Sequence, residues 1–298
     1  FTNLSGTNNV SVGQRSLYNN TTADNNVAVG KESLYANTTG TSNTAVGTNA
    51  LTANTTASYN TAVGYGAGTA ITDGHTNTLI GSEAGDALTT GDENVALGHG
   101  ALDGTTTGNG NTAVGTDALG KSDYNASYNT AIGYNAMLNA TTATGATAIG
   151  MQALDALTTG ADNTAVGSAT LGANTTGTKN TAVGRLALSA NTTANNNVAV
   201  GYQAGKFNTT GYQNTAIGNT SLEANTSGAN NVAVGHQALY SNTTVGEGTA
   251  VGYRALSSNT TGANNTALGT TAMLDNTTGT QNVAVGSNAM ANNTTAND

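Results

Sequence analysis

The ionisable chemistry of this 298-residue chain is sparse: three His, sixteen Asp or Glu, seven Lys or Arg, and no Cys at all. His75, His99 and His236 are scattered, and no Ser-His-Asp placement, phosphate-binding Gly-rich loop or metal-ligand spacing can be read around them. Without Cys there is no disulfide, thiol or zinc-thiolate chemistry. The acids are unevenly placed. Residues 65–160 hold nine (Asp73, Glu83, Asp86, Asp92, Glu93, Asp103, Asp117, Asp123 and Asp155) against one base, Lys121, which is −8 of the net −9. Such a block reads either as a face for a cation or basic partner, or as a solvated face that keeps copies apart. Calcium needs roughly six to eight converging oxygens, and neither Asp-x-Asp nor Gly-Gly-x-Gly-x-Asp occurs. The solvated face is the preferred reading, and no catalytic residue, cofactor or metal is expected.

These residues are mounted on a repeat. Seventeen times the chain writes a β-branched residue, a small residue, an aliphatic residue and Gly, the glycines running from Gly13 to Gly286. Every interval is 17 residues except Gly115 to Gly133, which is 18. A short period held this long is the mark of a solenoid, each repeat one coil that touches its neighbours. The expected fold is an all-β parallel β-solenoid of about 17 coils, 17 residues each, forming one repeat domain over 1–298 with a divergent acidic sub-block at 65–160.

Each coil can be read by position. Three residues before the glycine stands Val or Thr, one before it Val, Ile or Leu, and between them Ala in all but two coils (Ser11 and Leu79). This is a short strand. Alternation puts the two β-branched positions on one face and Ala on the other, and the expectation is aliphatics inward, Ala outward as a small stripe on which three chains could pack. The glycine is expected to turn the chain. Four residues on, Leu or Met (Leu17, Leu34, Leu51, Met137, Leu188) is expected as a second core residue, replaced by Gly68, Gly85 and Gly205 in three coils. An Asn-Thr-Thr-Gly turn follows. Another Asn, absent only where Ala146 and Gly248 stand, precedes the next strand and is expected to form an amide ladder between coils.

The Asn of the turn is present in eleven coils, Asn20 to Asn293, and replaced by Ile71, Leu88, Thr105, Ser122, Ala140 and Leu157 in the other six. Its Asn-x-Thr/Ser pattern also matches a glycosylation acceptor, though a turn accounts for it without a glycan. Tyr65, Tyr134, Tyr202 and Tyr253 directly follow glycines, and Tyr18, Tyr35 and Tyr240 sit five past them; they suit contact surfaces or packing along the stack.

The phrases "NTAVGTNAL", "NTAVGSATL" and "NVAVGHQAL" resemble the head repeats of YadA-like trimeric autotransporter adhesins, and still more the Asn-Thr-Ala-Val-Gly repeats of phage tail fibres and bacterial surface proteins. The resemblance covers Asn9 to Asp298. It implies a left-handed parallel β-roll, assembly of three chains, and binding to host matrix or other surfaces; the period of 17 is longer than those heads lead one to expect, and no heptad stalk is present.

Together these readings point to an extracellular or cell-surface structural and adhesive fibre module that associates with copies of itself, as a trimer or end to end, and meets surface glycan or host matrix. The alternative is a phage tail-fibre shaft or receptor-binding module of a virion. Too few basic residues argue against nucleic acid, no apolar run reaches the ~18 residues of a membrane-spanning helix, and a start at Phe1 suggests a processed chain or fragment. A β-helical enzyme on polysaccharide is disfavoured by the short, regular coils, and an ice-binding face by Thr pairs adjacent in a turn.

Overall fold

A computed structural model describes residues 3–121 and 125–295. All its regular elements are strands, seventeen of three residues each. Two compact units can be distinguished, Phe1–Ala148 and Ile149–Asp298. The first holds β1 (Val10–Val12) through β8 (Thr130–Ile132), the second β10 (Thr164–Val166) through β17 (Val283–Val285), and β9 (Thr147–Ile149) crosses the boundary.

Within each unit the chain is a parallel β-solenoid, one strand per coil. Neighbouring strands pair residue for residue at the repeat interval, as in Thr164↔Thr181, Ala165↔Ala182 and Val166↔Val183. The long coil keeps the same register: Thr112 pairs with Thr130 and Ala113 with Ala131. Its extra residue therefore lies outside the strands; the divergent stretch near Lys121 to Asn129 includes Ser122, Asp123 and Tyr124, which lie outside the described residues.

The strands face the opposite way from the sequence expectation. The central Ala is buried, with Ala45, Ala62, Ala182 and Ala250 at 0 % exposure, while the Val/Thr and Val/Ile/Leu on either side point outward and are half-buried or exposed. No Ala stripe is available to other chains. The cause is width. The opposite wall already sends in the Leu or Met four residues past the glycine (Leu17, Leu34, Leu51, Met137 and Leu154, all 0 % exposed), and a methyl is what fits against it. These Leu and Met residues occupy the left-handed region, with Leu34 at φ 47° and Leu239 at φ 49°. That conformation costs about 1–2 kcal/mol, comparable to the roughly 1.5–3 kcal/mol returned by burying the side chain.

The closing glycine does turn the chain. Gly201 has φ 137°, and a Cβ there would lie 2.5 Å from the carbonyl oxygen of Gly218 in the next coil. Both the backbone angle and the stacking distance exclude a side chain.

Three side-chain ladders tie coil to coil. In the first, the Asn before each strand uses both ends of its amide: Asn197 Oδ1 accepts the Asn214 N–H at 2.9 Å while its Nδ2 donates to the Gly211 carbonyl at 2.9 Å. The expected amide ladder is thus present, satisfying backbone groups that water cannot reach. The second was not foreseen. The Asn of Asn-Thr-Thr turns inward, and Asn20, Asn37, Asn174 and Asn225 are 0 % exposed. Each donates to the carbonyl three residues on, as Asn225 to Gly228, and, where the preceding coil also carries an Asn, to that counterpart, as Asn225 Nδ2 to Asn208 Oδ1 at 2.7 Å. In the third, the following Thr hydroxyl donates to its counterpart's carbonyl, as Thr209 to Thr226 at 2.9 Å.

Candidate functional site

The acidic block assembles one local cluster. Asp86 and Asp103 occupy equivalent places in successive coils, five residues past Gly81 and Gly98. Burial, together with the carboxylates of Asp86, Asp117 and Glu83, pushes the Asp103 carboxyl up to about 6 against a small opposing effect of His99. Burial and Glu83 raise Asp86 as well. Asp103 Oδ1 is buried with no hydrogen-bond partner among the described residues. Asp103 lines a cavity of about 570 Å³ together with Ala87, Gly104, Gly120 and Lys121. His99 stands between Glu83 (3.9 Å) and Asp117 (4.0 Å), too far for hydrogen bonds. The stacking of like charges expected from Asp86 and Asp103 is therefore present, and it adds to burial in making proton release less favourable.

A cation site does not follow from it. Among the described residues no group of three or more His, Asp and Glu is placed to hold a metal ion. The three histidines are not brought together: His75 Nδ1 accepts the Ser58 N–H at 3.0 Å, His99 lies in the acidic cluster, and His236 stacks on Tyr253 with ring centres 5.5 Å apart. No helix is long and apolar enough to cross a membrane among the described residues.

The tyrosines divide between exposed positions and packing along the stack. Tyr65, Tyr134, Tyr202 and Tyr253 are exposed. Tyr18 and Tyr35 stack along the coils at 5.7 Å, and Arg15 lies 4.5 Å from the Tyr35 ring centre while pairing with Glu32 at 3.0 Å. In the second unit the residue after the glycine is exposed and polar or aromatic in five successive coils: Arg185, Tyr202, Asn219, His236 and Tyr253. The turn asparagines, in contrast, are sealed inside, so the acceptor atom of Asn20 or Asn225 is inaccessible in the folded chain.

The outward side of the strands is a surface without an internal partner. It carries Val183, Val200 and Ile217 at 36–38 % exposure and Leu268 at 47 %. It was missed in the sequence because period-two alternation says which residues share a face, not which face is inside.

No family model matches the chain, and no curated protein matches it at a significant level.

Proposed function

We propose that this chain is a structural and adhesive module of an extracellular or cell-surface fibre: a β-solenoid that associates with copies of itself, builds or extends a filament, and displays its variable residues to surface glycan or host matrix. It is not an enzyme in this reading. The observation that carries it is the division of labour within the coil. Nearly every recurrent residue (the two Asn, the Ala, the Leu, the Gly) is consumed by stacking one coil on the next. The positions that vary, such as those of Arg185, Tyr202 and Asn219, face outward. Rigid scaffold inside and changeable display outside is the organisation of solenoid binding proteins, and ionisable groups do not converge as a catalytic centre requires.

The test is electron microscopy of the native material combined with binding of the purified chain to immobilised matrix proteins and glycans. Filaments bearing the chain, with saturable binding abolished by substituting the exposed column, are the expected result. A chain found only as an isolated soluble molecule that binds none of these surfaces overturns the proposal.

A further inference from the structure

Three pairs in the sequence join Asp or Asn to Gly: Asp73–Gly74, Asp103–Gly104 and Asn109–Gly110. A following Gly has no Cβ to hinder attack of its nitrogen on the side-chain carbonyl carbon, so each pair has the composition to close a succinimide ring. The fold restrains two of them. The Asp73 carboxylate accepts the Thr56 hydroxyl, and the Gly74 N–H donates to the Thr89 carbonyl at 3.3 Å. Asn109 Oδ1 accepts the Asp92 N–H at 2.7 Å, and the Gly110 N–H donates to the Asp92 carbonyl at 3.0 Å. Neither half of Asp103–Gly104 is held in this way. Asp103 Oδ1 is buried without a hydrogen-bond partner among the described residues. The Gly104 N–H meets no acceptor among them either, although its counterparts do: Ala70 donates to Asp86 O at 3.0 Å and Ala87 to Asp103 O at 3.3 Å. Asp103 and Gly104 both line the cavity of about 570 Å³, and an orphaned buried polar atom beside it calls for an explanation.

We propose that Asp103–Gly104 is a site of spontaneous backbone modification, closing to a succinimide and reopening as isoaspartate. In the first step the Gly104 nitrogen attacks Asp103 Cγ. A Cγ–N bond forms, the Cγ–OH bond breaks, and the hydroxyl leaves as water with the Gly104 N–H proton. One water then opens the ring. Opening at Cγ restores Asp103, and opening at the main-chain carbonyl leaves Gly104 joined through Cβ and Cγ, with the former carbonyl as a free carboxylate. Water is the sole co-reactant. The hydroxyl leaves far more readily from the neutral acid, and the surroundings favour that form: burial first, then Asp86, Asp117 and Glu83, against His99, with Lys121 also lining the cavity. The product has one extra main-chain atom after Leu102 and turns the acceptor of the Ala87 N–H into a carboxylate. Conversion therefore loosens one coil against the next and records the age of the chain.

The full chain, aged at 37 °C in water enriched in heavy oxygen at pH 5 and pH 7, is digested and mapped by mass spectrometry with fragmentation that separates Asp from isoaspartate. In the folded chain, isoaspartate at 103 is expected to exceed that at 73 by about tenfold or more, each copy carrying one heavy oxygen, and to form about tenfold more slowly at pH 7 than at pH 5 as the neutral acid is depleted. In urea the two Asp–Gly pairs should convert alike, since only the fold separates them. Two variants should suppress the mark at 103. Gly104 is outside the left-handed region, so Gly104→Ala adds a hindering Cβ to a backbone that accepts it, and Asp103→Glu would require a six-membered ring. Circular dichroism checks that each keeps its β-structure, and the comparison of 103 with 73 within the wild type stands without either. Conversion at 103 no greater than at 73 in the folded chain, conversion that rises with pH, or a mark that persists in a folded variant overturns the proposal.

Discussion

Leu79 fills the space that Gly68 leaves: a Cβ built on Gly68 would lie 2.8 Å from Leu79 Cδ1. The same side chain lies 2.8 Å from a Cβ position on Gly85 in the following coil. In most coils the wall contributes a Leu and the strand an Ala; here two walls contribute Gly, and one strand contributes Leu. The exceptions recognisable in the sequence as separate oddities are one exchange of volume across the interior.

Truncating that side chain should therefore expose the gap. Leu79→Ala is expected to destabilise unit 1–148 by about 2–5 kcal/mol, more than the loss of an outward aliphatic such as Val63→Ala. Urea unfolding with both variants in parallel measures the difference, and equal midpoints would refute the exchange.

The neighbouring coil also interrupts a ladder. Asn54 Oδ1 is buried without a hydrogen-bond partner, because the next coil offers Ile71 where an Asn amide would donate. A complementary vacancy occurs in the second unit at Gly248, whose N–H donates to Asn231 Oδ1 at 3.0 Å but which has no side chain to pass the ladder on. A Cβ at Gly248 would meet Asn231 Oδ1 at 3.2 Å, a contact relieved by a small shift. Gly248→Asn is expected to stabilise the chain by about 1–2 kcal/mol, by accepting the Asn265 N–H and by reducing unfolded-state freedom. The opposite change, Asn197→Ala, orphans the Asn214 N–H and leaves the Gly211 carbonyl with one of its two amide donors, Asn208 Nδ2 at 2.8 Å, and should cost about 1–3 kcal/mol. Thermal unfolding reads both signs.

Acid should strengthen the central coils. The folded-state carboxyl of Asp103 titrates near 6, above its unfolded value, so the folded chain holds the proton more tightly. The stabilisation is fully present below the unfolded pKa of 3.8 and is lost as pH rises through about 6. After allowance for solvent screening at this half-exposed group, the change is about 1 kcal/mol. Asp103→Asn is expected to raise stability at pH 7 and to flatten its slope between pH 4 and 7. Melting temperatures across that range provide the check, and a slope unchanged by the substitution would exclude Asp103 as its source.

Position decides the cost of adding one methyl. Gly201→Ala combines φ 137° with a 2.5 Å approach to Gly218 O, whereas at Gly286 the nearest atom to a new Cβ is 3.9 Å away. Both substitutions carry backbone strain, but the first also parts two coils, and it should cost about 2 kcal/mol or more beyond the second. Hydrogen exchange would show the opening spread to the coils around Gly201.

Much of this architecture was legible in the primary structure. The strand phrase, the turning glycine, the inward Leu and the Asn before each strand follow from period, β-propensity and backbone sterics, which are local properties. The orientation of the strand was inverted because Val looks more like core than Ala does, and only the structure shows that Leu34 and Leu51 of the opposite wall already fill the interior. The inward Asn of Asn-Thr-Thr was hidden for a similar reason. Its composition is that of any surface turn, and its burial depends on Asn208 lying directly beneath Asn225, a relation 17 residues distant.

That constant separation has a kinetic meaning. Each rung that joins a unit closes a loop of the same short length, so no step of growth pays more chain entropy than the one before. The chain can therefore lengthen or shorten by whole motifs over evolutionary time without altering how any remaining turn finds its place.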